Sequence, residues 1–233
     1  MNKKIVITGA TKGIGKAIAE KFVAHGFDLA FCARNKQEVE QLAMQFQKAG
    51  REIIAMPCDV SSKKELKNFA AQINERFPQV DVLVNNAGIF TPGQAYNEVD
   101  GALEKLIETN LYSAYNLSRF LIPGLIEQKS GHIFNMCSVA SIGAYPNGGS
   151  YSISKFALLG LSKALREELM NFNIRVTSLI PGAIYTDSWK GAGFPESRFM
   201  KTEDIAGLVW SIYNLSPNTV VEDVVLRPTL GDI

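Results

Sequence analysis

The stretch KKIVITGATKGIG, Lys3 to Gly15, decides how the rest of the chain reads. Lys3 to Thr8 is a short apolar run bounded by a Thr-Gly pair, the pattern of a buried strand. The glycine-rich turn after it leads into a helical pattern through Ala17, Ile18, Phe22 and Val23. Strand, glycine turn and helix in that order form the setting in which a helix N-terminus receives a phosphate. Gly9, Gly13 and Gly15 are expected to let the backbone turn sharply and approach a pyrophosphate, with Thr11, Lys12 and Ile14 contributing from between them. The spacing is GxxxGxG rather than GxxxxGK[ST], which argues against a nucleoside triphosphatase. A glycine turn of this kind also occurs without a ligand.

Working outward, a second strand spans Asp28 to Ala33 and ends at Arg34-Asn35. In dinucleotide folds an acid about 20 residues past the glycines holds the ribose hydroxyls, and an arginine there accommodates a 2′-phosphate. Arg34 stands in the acid's place, and with Lys12 it offers two cations, so the reading is NADP over NAD. The plainer account has Arg34 opening the next helix, Lys36 to Ala49, as a solvated charge. Arg51 to Pro57 gives a third strand, and Asp59 and Val60 lie just past it, where a carboxylate can accept from an adenine amino group or simply make a turn. Ser61 or Ser62 caps a helix from Lys63 to Arg76, with Glu65 three residues beyond Ser62. Asp81 to Val84 is a fourth strand running into Asn85-Asn86-Ala87-Gly88, whose small residues let a ribose lie close to the backbone. Four strands alternating with three helices predict a parallel, doubly wound α/β sheet with its ligand crevice at the carboxyl ends of the strands. Every motif so far falls at such an end.

Gly131 to Lys155, GHIFNMCSVASIGAYPNGGSYSISK, carries the reactive groups. Ile133 to Met136 reads as a strand, Ser138 sits where it gives out, and Tyr151 and Lys155 share one face at the start of a helix. A phenol has a free pKa of about 10, and a neighbouring ammonium is expected to lower it toward the range of a general acid and base. Ser138 is placed to donate to a carbonyl oxygen as negative charge builds on it. Together these groups suit proton delivery to a carbonyl that receives a hydride. Tyr and Lys four apart also make an ordinary exposed helix pair.

Composition narrows the classes. The 233 residues are 46% apolar and 20% charged, with a formal net charge of +1, which fits one soluble globular domain. No basic stripe is present, so nucleic acid is not expected as a partner, and no apolar run reaches membrane-spanning length. A cytoplasmic location is expected. Cys32, Cys58 and Cys137 lack disulfide or metal spacing and read as packing residues, and His25 and His132 read as structural, so no metal is expected.

With TGATKGIG, Asp59-Val60, NNAG at Asn85 to Gly88, Asn110, Ser138, Tyr151-x-x-x-Lys155 and Pro181-Gly182 followed by Thr186 all in order, the chain resembles the short-chain dehydrogenase/reductase family. The resemblance implies a single Rossmann-type domain over 1–233 with a parallel seven-stranded sheet. It implies Tyr151 as proton donor and acceptor, Lys155 also on the nicotinamide ribose, and Ser138 polarising the carbonyl. It further implies Asn110 holding a water in a proton relay, and Pro181, Gly182, Ile184 and Thr186 beside the nicotinamide. Asn86, Ala87 and Gly88 join the cofactor contacts, as do Arg34 and Asn35.

The sixth strand is Arg175 to Ile180, a helix follows from Lys201 to Leu215, and the last strand is Val220 to Leu226. In the family Thr186 to Met200 is a substrate lid, with Trp189, Phe194, Phe90, Ile142 and Tyr145 as candidate apolar walls. Two helices, Leu103 to Ile122 and Ser152 to Asn171, are more apolar than one sheet can cover, which predicts a homodimer or homotetramer. The tail RPTLGDI differs from the longer glycine-containing end of many members. The expected activity is interconversion of a carbonyl and an alcohol on a small-molecule substrate with NADP(H), resembling 3-oxoacyl-carrier-protein reductases or hydroxy-acid dehydrogenases. The rival is a non-catalytic NADP(H)-binding sensor or scaffold. A nucleotide-sugar epimerase is disfavoured, since little chain remains for a substrate domain.

Overall fold

The computed structural model describes residues 2–186 and 193–233, so Trp189 lies outside the described residues. Seven strands form one sheet: β1 (Lys4–Thr8), β2 (Asp28–Ala33), β3 (Ile53–Pro57), β4 (Val82–Asn85), β5 (Gly131–Met136), β6 (Ile174–Pro181) and β7 (Asp223–Leu226). Their order is β3-β2-β1-β4-β5-β6-β7, with every neighbouring pair parallel. The helices α1 (Gly13–Ala24), α2 (Lys36–Gln47), α3 (Lys63–Arg76), α4 (Ala102–Ile107), α5 (Ser113–Gln128), α6 (Gly149–Leu169) and α7 (Thr202–Tyr213) cover its two faces.

Alternation along the strands divides the core in two. Ile5, Ile7, Leu29, Phe31, Val82 and Val84 face α1, α2 and α7, where Phe22 and Val209 meet them. Val6, Ala30, Cys32 and Leu83 face the other way, against Leu66, Phe69, Leu117, Leu121 and Leu165 from α3, α5 and α6. Strands buried on both sides need no polar positions, which is why they read as continuous apolar runs. Local chemistry sets the helix starts. The Asn35 side chain accepts from the N–H groups of Gln37 and Glu38 to cap α2, and Ser62, not Ser61, accepts from Glu65 to cap α3.

The expected single helix from Leu103 to Ile122 is instead three pieces. Between α4 and α5 lies a π-helical turn, Glu108–Tyr112, and α5 continues past Pro123 to Gln128. Proline removes one backbone hydrogen bond, yet Leu121 and Leu125 on either side of it are both buried against the sheet, and that packing carries the helix through. The last strand begins three residues later than expected, at Asp223 rather than Val220. The two ends of the expected lid are tied together, because the Tyr185 N–H donates to the Met200 carbonyl at 3.0 Å and the Met200 N–H to the Ala183 carbonyl at 3.1 Å.

The chain reaches β4 after leaving β1 outward to β3, so the carboxyl ends of β1 and β4 flank the switch point where such sheets bind ligands. α1 sits on this point because Gly15 has no side chain. A Cβ at Gly15 would fall inside contact distance of the Gly9 carbonyl oxygen and 2.5 Å from Asn86 Nδ2. Gly15→Ala is therefore expected to cost about 1–3 kcal/mol, since backbone must move to admit the methyl. Gly124→Ala, in open space within α5, should instead gain about 0.5–1 kcal/mol. Urea midpoints for the two variants check this, and equal midpoints would contradict the packing.

Candidate active site

The strand tips and the first turn of α6 enclose a cleft of about 610 Å³. Its lining includes Ser138, Tyr151 and Lys155 together with Ile14, Asn86, Gly88, Pro181, Gly182, Ile184 and Thr186. Ser138 follows β5 and begins a short 3-10 turn. Its hydroxyl accepts from the Ala140 N–H at 3.2 Å, and its own N–H donates to Ser141 Oγ at 3.1 Å. Those contacts fix the side chain and leave the Ser138 hydroxyl hydrogen to donate.

Lys155 is buried, and its ammonium donates to the Met136 carbonyl at 2.7 Å. Burial lowers its pKa to about 8. Its Nζ lies 5.8 Å from the centre of the Tyr151 ring. The phenol is pushed above its ordinary value by burial, opposed by its interaction with the Ser138 side chain. The expectation that Lys155 lowers the Tyr151 pKa is thus corrected. The ammonium is turned to a backbone carbonyl, and desolvation penalises the charged forms of both groups.

Asn110 lies in the π-helical turn, buried behind the cleft. Its Oδ1 accepts from the Ile89 N–H at 2.8 Å, and its Nδ2 donates to the Ile89 carbonyl at 3.0 Å and to Ser154 Oγ at 2.9 Å. Both amide hydrogens are occupied, so the side chain clamps the segment after β4 to α6, and a relay water cannot be held by those hydrogens.

The glycine turn has the form an anion needs. Gly9 and Gly13 take φ values of +69° and +54°, open to glycine at little cost. Lys12, the N-cap of α1, supplies no side-chain cap, and the first turn of the helix holds no acid. The dipole there favours a negative ligand. Thr11 is half-buried in the turn, whereas Gly15 serves packing rather than ligand approach. Arg34 is exposed at the tip of β2. Lys12 Nζ stands 2.8 Å from the Glu38 carboxylate.

Several residues expected at the cofactor also make contacts within the protein. The Asn35 amide caps α2, as described, and Val60 packs in the core. Asp59 accepts from the Ser61 N–H at 3.0 Å and hydroxyl at 2.8 Å. Burial raises its pKa, but these bonds and the charge of Arg34 outweigh it and hold the carboxyl below its ordinary value. Asn85 points into the sheet, so Asn86, Ala87 and Gly88 are the members of that run left at the surface of the groove.

Of the expected walls, Phe90 and Tyr145 line the cleft, and Phe90 meets the Tyr151 ring edge-on at 4.9 Å. Ile142 and Phe194 are exposed and are not among the described lining. Residues that sequence reasoning passed over include Cys137, Val139, Pro146, Asp232 and Ile233, all on the cleft. The last two arrive because the tail folds back. Arg227 pairs with the Asp232 carboxylate, a contact that no local pattern announces.

Comparisons bear on this geometry. The short chain dehydrogenase family matches residues 3–194. Sepiapterin reductase of Chlorobaculum tepidum is 34% identical over 241 aligned positions, covering 100% of this chain and 99% of that protein. A 3-oxoacyl-[acyl-carrier-protein] reductase of Staphylococcus epidermidis is 30% identical and covers 90% of each. The crystal structure of an alcohol dehydrogenase from the archaeon Thermococcus sibiricus, complexed with 5-hydroxy-NADP, superposes with a TM-score of 0.90 at 30% identity, covering 98% of this chain and 97% of that one. On a likeness that runs from end to end of the fold, the protein belongs to the short-chain dehydrogenase/reductase family of oxidoreductases.

Proposed function

We infer that this protein is an NADP(H)-dependent oxidoreductase that interconverts a carbonyl and an alcohol, with Tyr151 as the proton donor and acceptor. The observation that carries the reading is the convergence of Ser138, Tyr151 and Lys155 on a cleft also lined by Ile14 of the glycine turn and by residues just past the ends of β4 and β6. The uncapped start of α1, with Gly9 and Gly13 in left-handed turns, fits a pyrophosphate, and Arg34 at the tip of β2 fits a 2′-phosphate. Gly88, Pro181, Gly182, Ile184 and Thr186 would flank the nicotinamide, with Lys155 on its ribose. When bound, the dinucleotide supplies or accepts the hydride.

The chain's own residues manage the proton. Ser138 donates its hydroxyl hydrogen to the substrate oxygen as charge builds there. Tyr151 delivers the phenolic proton to the same oxygen; an ordinary phenol is already protonated at neutral pH, the state a reduction requires, and burial shifts it further that way. Lys155, anchored on Met136, holds positive charge behind the phenol. Asn110 keeps Ile89 and Ser154 in register and so fixes the cleft's floor. Phe90, Tyr145 and Ile184 form an apolar wall suited to a bulky carbonyl, and the lid expected over Thr186 to Met200 lies partly outside the described residues. Buried free thiols at Cys32, Cys58 and Cys137 accord with a reducing, cytoplasmic setting. No helix among the described residues is long and apolar enough to cross a membrane.

An exposed apolar surface runs over α4, the π-helical turn, α5 and α6 through Leu103, Tyr112, Tyr115, Ile153 and Phe156. A second copy of the chain covers this face in a homodimer or homotetramer.

Tyr151→Phe is expected to cut kcat by roughly a hundredfold to ten-thousandfold while leaving NADPH affinity nearly unchanged. Turnover is followed at the NADPH absorbance over a carbonyl panel that includes sepiapterin and a 3-oxoacyl thioester. Undiminished turnover in the variant would reject the role, and NADPH binding by the parent with no turnover on any carbonyl would leave a sensor.

Arg34→Asp should lower the NADPH over NADH preference in kcat/KM by roughly a hundredfold, because a charged hydrogen-bond partner is replaced by a repulsive one. Lys12 contributes less, being shared with Glu38. An unchanged ratio would remove Arg34 from the phosphate site.

Sedimentation equilibrium at micromolar concentration should return a mass of two or four chains. A mass of one chain contradicts the assembly.

A further inference from the structure

Helix α6 begins on a residue that cannot cap it. Its N-cap is Gly148, which has no side chain to receive the unpaired N–H groups of the first turn. The cap comes from a segment some fifty positions earlier in the chain. The Gly149 N–H donates to the Gly93 carbonyl at 3.0 Å, and the Gly93 N–H donates to the Asn147 carbonyl at 3.0 Å. Glu98 completes the join. One of its carboxylate oxygens accepts from the Ser150 N–H at 3.0 Å, and the other accepts from the Ser150 hydroxyl.

Space has been cleared for this carboxylate. A Cβ on Gly149 would run into Glu98 Oε1 and stand 2.7 Å from the Ala95 nitrogen, and one on Gly93 would stand 2.7 Å from Glu98 Cγ. A side chain at either position would displace Glu98 from the helix end. Negative charge at a helix N-terminus is favoured by the dipole as well as by the hydrogen bonds.

The residue after Ser150 is Tyr151. The segment that carries Glu98 starts beside Phe90, whose ring packs edge-on against the Tyr151 ring. One piece of chain therefore touches the Tyr151 ring through Phe90 and the residue before it, Ser150, through Glu98.

We propose that Glu98 is a positioning residue for catalysis, capping α6 across the fold so that the Tyr151 hydroxyl stands at the depth in the cleft where it meets the substrate oxygen. The proposal rests on Tyr151 being the proton donor. Glu98 touches no reacting atom and acts through Ser150. The two bonds from Ser150 hold its carboxyl below the ordinary range, so it is ionised at working pH.

The test compares Glu98→Ala, Glu98→Gln and Ser150→Ala in the full chain with NADPH, reading kcat, the carbonyl KM, NADPH affinity and the thermal midpoint for each. Glu98→Ala is expected to lower kcat by roughly tenfold to a hundredfold, the scale of a small displacement of a reacting group, with NADPH affinity kept. Glu98→Gln keeps an oxygen for the Ser150 N–H and should recover most of that loss, and Ser150→Ala should show a milder fall. A parental kcat in Glu98→Ala, even with a lowered midpoint, overturns the proposal and leaves a structural cap. Should Glu98→Ala not fold, Ser150→Ala decides: a parental kcat overturns the proposal, and a fall in kcat with NADPH affinity kept supports it. Tyr151→Phe separates the two readings. If that variant stays active, the proton-donor role fails and this proposal with it; if it is inactive while Glu98→Ala is fully active, only the positioning role fails.

Discussion

The site depends on a stitch between two strands that meet side by side although 78 residues of chain separate Thr8 from Asn86. Thr8 Oγ1 accepts from the N–H groups of Asn86 at 3.1 Å and Ala87 at 3.0 Å, and Asn86 Nδ2 returns to the carbonyls of Thr8 at 2.9 Å and Gly9 at 3.0 Å. These bonds close the ends of β1 and β4 at the switch point, where the backbone would otherwise present unpaired groups. They also determine what the third glycine of the turn is for. Gly15 presses α1 onto this stitch, so its lack of a side chain serves helix-to-strand approach, while Gly9 and Gly13 provide the turn itself.

A second polar join lies deeper. Asn85 and Asn135 stand opposite one another in β4 and β5, and Asn85 Nδ2 donates to Asn135 Oδ1 at 2.8 Å and to Ser118 of α5 at 3.0 Å. Asn135 Nδ2 donates in turn to Ser162 of α6 at 2.8 Å. Buried amides are costly unless paired; here Asn85 Oδ1 is left without a partner among the described residues, and the bonds of the two amide nitrogens tie the two outer helices to the central strands. α6 therefore arrives at the cleft fixed along its length, by Ser162 in its middle and by the foreign carboxylate at its start. Lys155 is fixed the same way, through a strand carbonyl. A desolvated ammonium with a pKa near 8 is an expense that stability alone does not explain, and such groups concentrate at functional sites.

The sequence makes legible whatever is decided locally. The inner strands could be read because runs buried on both faces are largely apolar, and the cap of α3 because its partner Glu65 lies three residues beyond Ser62. The reactive set could be read because Ser138, Tyr151 and Lys155 sit within one strand, loop and helix. What could not be read is decided at long range. Asn85 and Asn86 are the same residue type in adjacent positions, and only the sheet's alternation sends one inward and the other to the groove. Pro123 looked like an end because its local cost is visible and the burial of Leu125 is not. Ile142 looked like a wall because apolarity says nothing of direction. Glu98 carries no signal at all, since its partner lies 52 residues ahead of it.

This division has a consequence for what the cleft can accept. The groups proposed to handle the proton are tied to strand ends and to the helix behind them, while other lining residues come from the loops beyond those ends: Phe90 after β4, Tyr145 and Pro146 before α6, Ile184 after β6, and Asp232 and Ile233 beyond β7. Loops tolerate change that the sheet does not, so the shape of the wall can vary while the reaction is kept. The tail adds one constraint on charge. Asp232 lies against Gly182, where a Cβ would stand 2.8 Å from its Oδ1, so the tail reaches the cleft only because that turn is glycine. Its carboxylate is paired with Arg227, and the Arg198 guanidinium approaches its backbone carbonyl at 3.5 Å. An acid so compensated adds little net charge to that part of the lining.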